Sequence, residues 1–231
     1  MVRVLANSLR NSAPIVLALF AIAAAALFAF FSLMNEMLEG ETRAFDEAVL
    51  KSLRMTGDPA MPIGPPWLTK AFMDITSLGG FTVIMLITAL SILYLLIIRK
   101  YFNALFVLLC VAGGWLLSHV IKFGIARPRP DVVAHLVDVN DFSFPSGHAM
   151  VSAVTYLTLG ALLGRTQIQW AARYYFLGVA VLLTLLIGMS RIYLGVHYPT
   201  DVLGGWAAGA AWACGCWLLA RFLSDFTTTR S

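Results

Sequence analysis

The sequence predicts an all-α polytopic membrane protein, with six transmembrane helices in one bundle and amphipathic outer-surface helices between the first and second. Three observations predict it. Hydrophobic residues make up 60% of the chain and charged residues 12%, where a soluble domain carries roughly 25% charged residues. Mean hydropathy is +0.83. Six apolar runs, near 14–34, 80–98, 102–121, 147–164, 174–194 and 202–223, reach or approach the ~20 helical residues that cross about 30 Å of hydrocarbon. With no internal repeat and no low-complexity linker, the 231 residues read as a single domain. Its parts are an N-terminal anchor over 1–34, an outer segment over 35–79 and a helical core over 80–223.

The first run follows Arg3 and Arg10 and is longer than a signal-peptide core, so it reads as an uncleaved anchor. In the outer segment Phe45, Val49 and Leu53 recur every four residues between Asp46, Glu47, Lys51 and Arg54, with Glu47 and Lys51 at helix-pair spacing. Pro59, Pro62, Pro65 and Pro66 interrupt this helix, and Trp67, Leu68, Ala71, Phe72 and Ile75 begin a second. The two helices either flank a lipid entrance in the outer interface or cap the bundle. Pro128 and Pro130 stop the third span, Ser146 suits an N-cap for the fourth, and Pro199 suits the first turn of the sixth. Gly205, Gly209 and Ala213 at four-residue spacing allow close helix approach, within the monomer or across a homodimer seam. Cys110, Cys214 and Cys216 lie inside apolar runs and read as packing residues rather than disulfide or zinc ligands.

Lys and Arg in short loops set the orientation. Arg3 and Arg10, Arg99 and Lys100, Arg165 and Arg173, and Arg221 and Arg230 fall in alternate segments, nearly free of acids apart from Asp225. Both termini are then expected in the cytoplasm, and three basic or histidine-bearing segments are expected together on the outer face. The net charge of +4 does not point to nucleic acid, because the basic residues are scattered rather than gathered in one patch.

Those segments carry the chemistry. Lys122, Arg129 and Arg191 are cations at the ends of apolar runs, where charge is costly and seldom kept without a task. Guanidinium forks match phosphate oxygens, and lysine acts as a point charge. Arg127 reads as a surface or headgroup contact. Pro145-Ser146-Gly147-His148 opens the fourth span, where free N–H groups and the positive helix end favour an anion and Gly147 lets it approach the backbone. His197 and Asp201 bracket Pro199; a carboxylate beside a histidine fixes its tautomer and prepares the other ring nitrogen to attack phosphorus. His119 reads as packing and His135 as a solvated loop residue. No carboxylate cluster has metal-ligand spacing, so neither a metal nor another cofactor is expected.

The pattern Lys-x6-Arg-Pro at Lys122, Arg129 and Pro130, Pro-Ser-Gly-His at 145–148, and Ser-Arg-x5-His-x3-Asp at Ser190, Arg191, His197 and Asp201 resembles that of the type 2 phosphatidic acid phosphatase superfamily. The resemblance implies that His197 is the nucleophile, Asp201 orients it, and His148 protonates the leaving oxygen and then activates water. It further implies that Lys122, Arg129, Ser146, Gly147 and Arg191 hold the phosphate. The expected function is hydrolysis of a lipid phosphate or diphosphate of the phosphatidic acid, phosphatidylglycerophosphate or undecaprenyl diphosphate class at the outer face of a bacterial plasma membrane. A lipid A 1-phosphatase is the alternative within the family. A vanadate-dependent haloperoxidase and a non-enzymatic carrier of anionic lipid stand further off. The expected partners are membrane lipids and the lipid phosphate itself.

Overall fold

The computed structural model describes the backbone of residues 2–228 and the side chains of 14–223. The side chains of Arg3, Arg10, Asp225 and Arg230 lie outside the described residues. The elements are α1 (Val2–Leu38), α2 (Arg43–Ser52), β1 (Arg54–Met55), β2 (Asp58–Pro62), α3 (Pro66–Ser77), α4 (Phe81–Ile97), α5 (Tyr101–Ile125), α6 (Gly147–Thr166), α7 (Trp170–Tyr193) and α8 (Pro199–Thr228). Helical segments at Pro14–Leu38, Tyr101–Ile125, Gly147–Thr166, Trp170–Tyr193 and Pro199–Leu223 are long and apolar enough to cross a membrane. Helix α4 has 17 residues and reaches the length of a sixth span only together with α3, which it joins at a 46° bend. Gly79 and Gly80 lie at that bend, and Gly80 is extended at the N-cap of α4.

Helix α6 is the centre of the bundle, packed against α5, α7 and α8, while α1 runs along α8, α3 lies on α7 and α4 lies on α5. An unbroken run from Ala149 to Tyr156 is buried, as expected for a helix enclosed on every side. Helix α8 reaches it closely. A Cβ on Gly205 would lie 2.7 Å from Ser146 O, and one on Gly209 2.6 Å from Met150 O. The small-residue spacing therefore serves packing within one chain.

Three local expectations are corrected. Helix α5 runs to Ile125, past the expected end at 121, so Lys122 belongs to its last turn; the chain leaves through Ala126 at φ 52°. In α2 the ion pair of Glu47 with Lys51 forms at 3.0 Å, but the buried residues are Asp46 and Leu50, and Phe45 is exposed. The proline-rich stretch contains an antiparallel hairpin, with Met55 opposite Asp58 and Gly57 at φ 88° in the turn. Arg54 pins this hairpin to the bundle by donating to Tyr193 O at 3.0 Å and Ala134 O at 3.2 Å. Tyr193 also stacks on Phe72 at 4.3 Å and donates its hydroxyl to Ile63 O at 2.8 Å. The outer segment is thereby fastened to the end of α7 that carries Arg191.

Candidate active site

Chain direction alternates through the bundle, so the C-terminal ends of α5 and α7 meet the N-terminal ends of α6 and α8. Lys122 sits in the last turn of α5 and Arg191 in that of α7; Gly147 and His148 open α6, and Asp201 lies in the first turn of α8. Arg129 comes from the loop between α5 and α6, and His197 from the short connection between α7 and α8. Gly195, at φ 76°, lets that connection turn, since a Cβ there would lie 2.8 Å from Ala134 O. Lys122, Arg129, Gly147, His148, Arg191 and His197 line one cavity of about 310 Å³. Asp201 stands behind His197. Ser146 is fully buried, with its Oγ accepting from Ala149 N at 3.5 Å as the N-cap of α6.

The partners of His197 define its tautomer. Its Nδ1 lies 3.5 Å from Asp201 Oδ2 and 3.5 Å from Ser143 Oγ. A carboxylate only accepts, so Nδ1 carries the proton. Arg129 Nη1, which only donates, lies 3.3 Å from Nε2, so Nε2 presents a lone pair. Burial, and then the charges of Arg191, Arg129 and Lys122, hold His197 well below its ordinary protonation range. The ring is therefore neutral at pH 7, with its lone pair on the nitrogen that faces Arg129.

Asp201 is itself held from several directions. Its Oδ2 accepts from Tyr198 N at 2.8 Å and from Ser143 Oγ. Its Oδ1 accepts from Arg127 Nη1 at 2.6 Å. Arg127 turns its other arm to Asp46 Oδ2 at 2.9 Å, and Asp46 accepts from Thr200 N at 3.0 Å and Thr200 Oγ1 at 2.6 Å. Asp46 and Asp201 are each 0% exposed. Burial works against the charge of Arg127, but Asp201 and Asp46 outweigh it and raise its proton affinity. Arg127 also covers the Tyr198 ring at 4.3 Å. The expected surface role of Arg127 is therefore corrected: it clamps α2 to the first turn of α8.

A second cavity, about 600 Å³ in volume, adjoins the first and shares Lys122, Asp141, Gly147 and His148 with it. Its walls come from α4, α5 and α6, with Phe81, Met85, Leu108, Ala112 and Trp115 among them. His119 lies on this wall, its ring 4.0 Å from that of Trp115 and its Nδ1 2.9 Å from Trp115 O. A small cavity bearing three cations thus adjoins apolar space lined by membrane-spanning helices. That combination suits an amphiphile with a phosphate head.

Several residues at the site escape a reading of the sequence. Asp141 bridges Lys122 and Arg129, Ser143 joins His197 to Asp201, Thr76 of α3 accepts from Arg191 Nη1 at 3.1 Å, and Asp46 holds Arg127. Asp141 and Ser143 stand just ahead of Pro145-Ser146-Gly147-His148, so proximity could have flagged them. Asp46 and Thr76 carry no such signal.

The sequence profile of the PAP2 superfamily matches residues 103–225. The chain is 33% identical over 186 residues to phosphatidylglycerophosphatase B of Bacillus subtilis, covering 79% of this chain and 87% of that one. It is 32% identical over 99 residues to an undecaprenyl-diphosphatase of Sulfolobus acidocaldarius, covering 41% and 44% of the two chains. The crystal structure of a transmembrane PAP2-type phosphatidylglycerolphosphate phosphatase from Bacillus subtilis superposes with a TM-score of 0.77 at 29% identity, over 88% of this chain and 96% of that one.

Proposed function

The chain belongs to the PAP2 superfamily and is a multi-pass membrane hydrolase of lipid phosphates, and from that premise we propose that it hydrolyses a lipid phosphomonoester or diphosphate through a phosphohistidine at His197. The observation that carries the proposal is that one 310 Å³ cavity is lined by both imidazoles and by Lys122, Arg129 and Arg191. The acting face is the one opposite the Lys- and Arg-rich short loops, which is the outer face of the plasma membrane. Anchor, outer segment and helical core act as one catalytic domain.

The three cations take the phosphate oxygens, aided by the N-terminus of α6 at Gly147. The lone pair on His197 Nε2 attacks phosphorus while the ester P–O bond breaks. Its electrons pass to the ester oxygen, which takes a proton from the imidazolium form of His148, stabilised by the negative charge of the bound phosphate. Asp201 stabilises the ring as it becomes positive. Neutral His148 then accepts a proton from water as the water oxygen attacks phosphorus. The P–N bond breaks, its electron pair returns to Nε2, and orthophosphate leaves.

A glycerophospholipid monoester of the phosphatidylglycerophosphate class is the first substrate to test, since the relative covering most of both chains carries that name. Phosphatidic acid, undecaprenyl diphosphate and lipid A complete the panel. Purified protein with chelator present is expected to release phosphate from at least one of them, and His197→Ala from none. Release by His197→Ala, or none from any lipid by the unaltered protein, refutes the proposal.

A further inference from the structure

Two of the three cations in the cavity already share an anion from their own chain. Asp141 Oδ2 lies 2.8 Å from Lys122 Nζ, and Oδ1 accepts from Arg129 Nη2. One carboxylate therefore spans the two cations as two oxygens of a phosphate would. Arg191 differs. Its Nη1 donates to the neutral Thr76 hydroxyl, and its Nε is buried without a hydrogen-bond partner.

The members of this bridge are unequally free to move. The Lys122 and Arg129 side chains are 4% and 10% exposed, and that of Asp141 is 55% exposed. Asp141 also belongs to the irregular stretch between α5 and α6 and lines both cavities. Main-chain bonds hold its backbone whatever its side chain does: Arg129 Nε donates to Asp141 O at 2.7 Å, and Lys122 Nζ to Phe142 O at 2.5 Å. Thus the cations are buried and held by main-chain carbonyls, and the carboxylate faces water.

We propose that Asp141 is an intramolecular counter-ion that competes with orthophosphate for Lys122 and Arg129 and thereby speeds release of the product. This rests on the phosphatase reading above. Product release is the difficulty such a site creates for itself. Three cations around a small cavity hold an orthophosphate that is a mixture of mono- and dianion at neutral pH, and the same contacts that bind substrate retain product. A tethered carboxylate acts at an effective concentration in the millimolar range or above, and phosphate offers the two buried cations the same charge-assisted contacts, so neither is left unpaired in the exchange. It can take back Lys122 and Arg129 one contact at a time as phosphate loosens. Competition of this kind raises the apparent dissociation constants of substrate and product by the same factor. It leaves the transition state, which gains the bond to Nε2, as the species that best displaces the carboxylate.

Asp141→Asn and Asp141→Ala in the full-length purified protein test this. Removing the competitor is expected to lower the inhibition constant of orthophosphate about tenfold, equivalent to ~1.4 kcal/mol, and to lower KM in parallel. kcat should fall or hold, and kcat/KM should not drop. Were Asp141 needed to shape the cation pair, kcat/KM would drop and phosphate would bind more weakly, and that outcome overturns the proposal. An unchanged inhibition constant in both variants, with unfolding midpoints equal to that of the parent, overturns it as well. Equilibrium binding of radiolabelled orthophosphate separates the two layers. Tighter binding in both variants, in a protein that hydrolyses no lipid, sustains the counter-ion and sinks the phosphatase reading.

Discussion

Replacing Arg127 by alanine asks what holds the carboxylate behind His197. Arg127 bridges Asp201 at 2.6 Å and Asp46 at 2.9 Å, and both carboxylates are fully buried. The substitution leaves two ionised groups in the interior, facing hydroxyl and N–H donors but no cation. Removing one partner of a buried ion pair costs about 3–5 kcal/mol. For a chain of this size that corresponds to a fall in unfolding midpoint of about 6–20 °C. Catalysis should suffer separately, because Asp201 loses a charge-assisted hydrogen bond worth about 1.5–3 kcal/mol and no longer fixes His197 as firmly. At 1.36 kcal/mol per decade this lowers kcat by about ten- to a hundredfold. A second substitution supplies the sign check. Asp46→Asn in the Arg127→Ala background removes one stranded charge, so the double variant should be more stable than Arg127→Ala alone, whereas Asp46→Asn in the parent should destabilise. Thermal unfolding in detergent and steady-state phosphate release measure both effects. If Arg127→Ala matches the parent in midpoint and in kcat, the clamp is not what positions Asp201.

Four further predictions rest on the same geometry. His148→Ala should lower turnover of a lipid substrate about 10²–10⁴-fold, the usual worth of a positioned acid–base group, and a smaller loss in phosphate release would assign leaving-group protonation elsewhere. Because burial and the neighbouring cations hold His197 below its reference value of 6.5, the acid limb of kcat/KM should lie beneath that pH, and a limb centred at 6.5 or above contradicts this. The same shift means the unfolded chain binds the proton more readily, so stability is full above pH 6.5 and falls as pH drops below it toward the folded-state value, which a midpoint-against-pH series checks with His197→Gln as the flattened control. Finally, Ala112→Trp should fill much of the apolar cavity beside the site, raising KM severalfold for a long-chain lipid phosphate while leaving a short water-soluble phosphate ester unaffected; equal effects on both would dissociate that cavity from lipid binding.

What the sequence discloses, and what it hides, follows from the range of each interaction. The six spans are legible because hydrocarbon demands long apolar runs, and the catalytic candidates because phosphate chemistry demands cations and imidazoles of particular type. The buried face of α2 is not legible. Hydrophobic periodicity assumes that the inward face is apolar, yet Asp46 turns inward to meet Arg127, 81 residues away. Phe45 is displaced outward for the same reason. The end of α5 is misplaced because a lysine looks like the limit of an apolar helix, whereas Lys122 is paired at that depth with Asp141 and with Phe142 O. The hairpin at 54–62 escapes because its prolines dominate a stretch whose turn carries a lone Gly57.

The two carboxylate–cation clusters at this end of the bundle differ in a way that matches what each must do. Asp46, Arg127 and Asp201 are sealed in, with Arg127 12% exposed and both acids 0%. Opening that cluster means stranding charge in a medium that solvates it poorly, which resists any rearrangement of it. Persistence is what a group that must hold one imidazole tautomer requires. Asp141 meets Lys122 and Arg129 with its own side chain 55% exposed, so water can take over its solvation at small cost, and exchange is what a phosphate cradle requires. Moving water access from one cluster to the other would reverse both properties. An Asp201 open to solvent would let His197 rotate and protonate, and an Asp141 sealed against solvent would keep Lys122 and Arg129 from phosphate altogether. The placement of α2 over the first turn of α8, with Asp141 of the α5–α6 loop left half exposed beside Lys122, is therefore as much a part of the proposed chemistry as the histidines themselves.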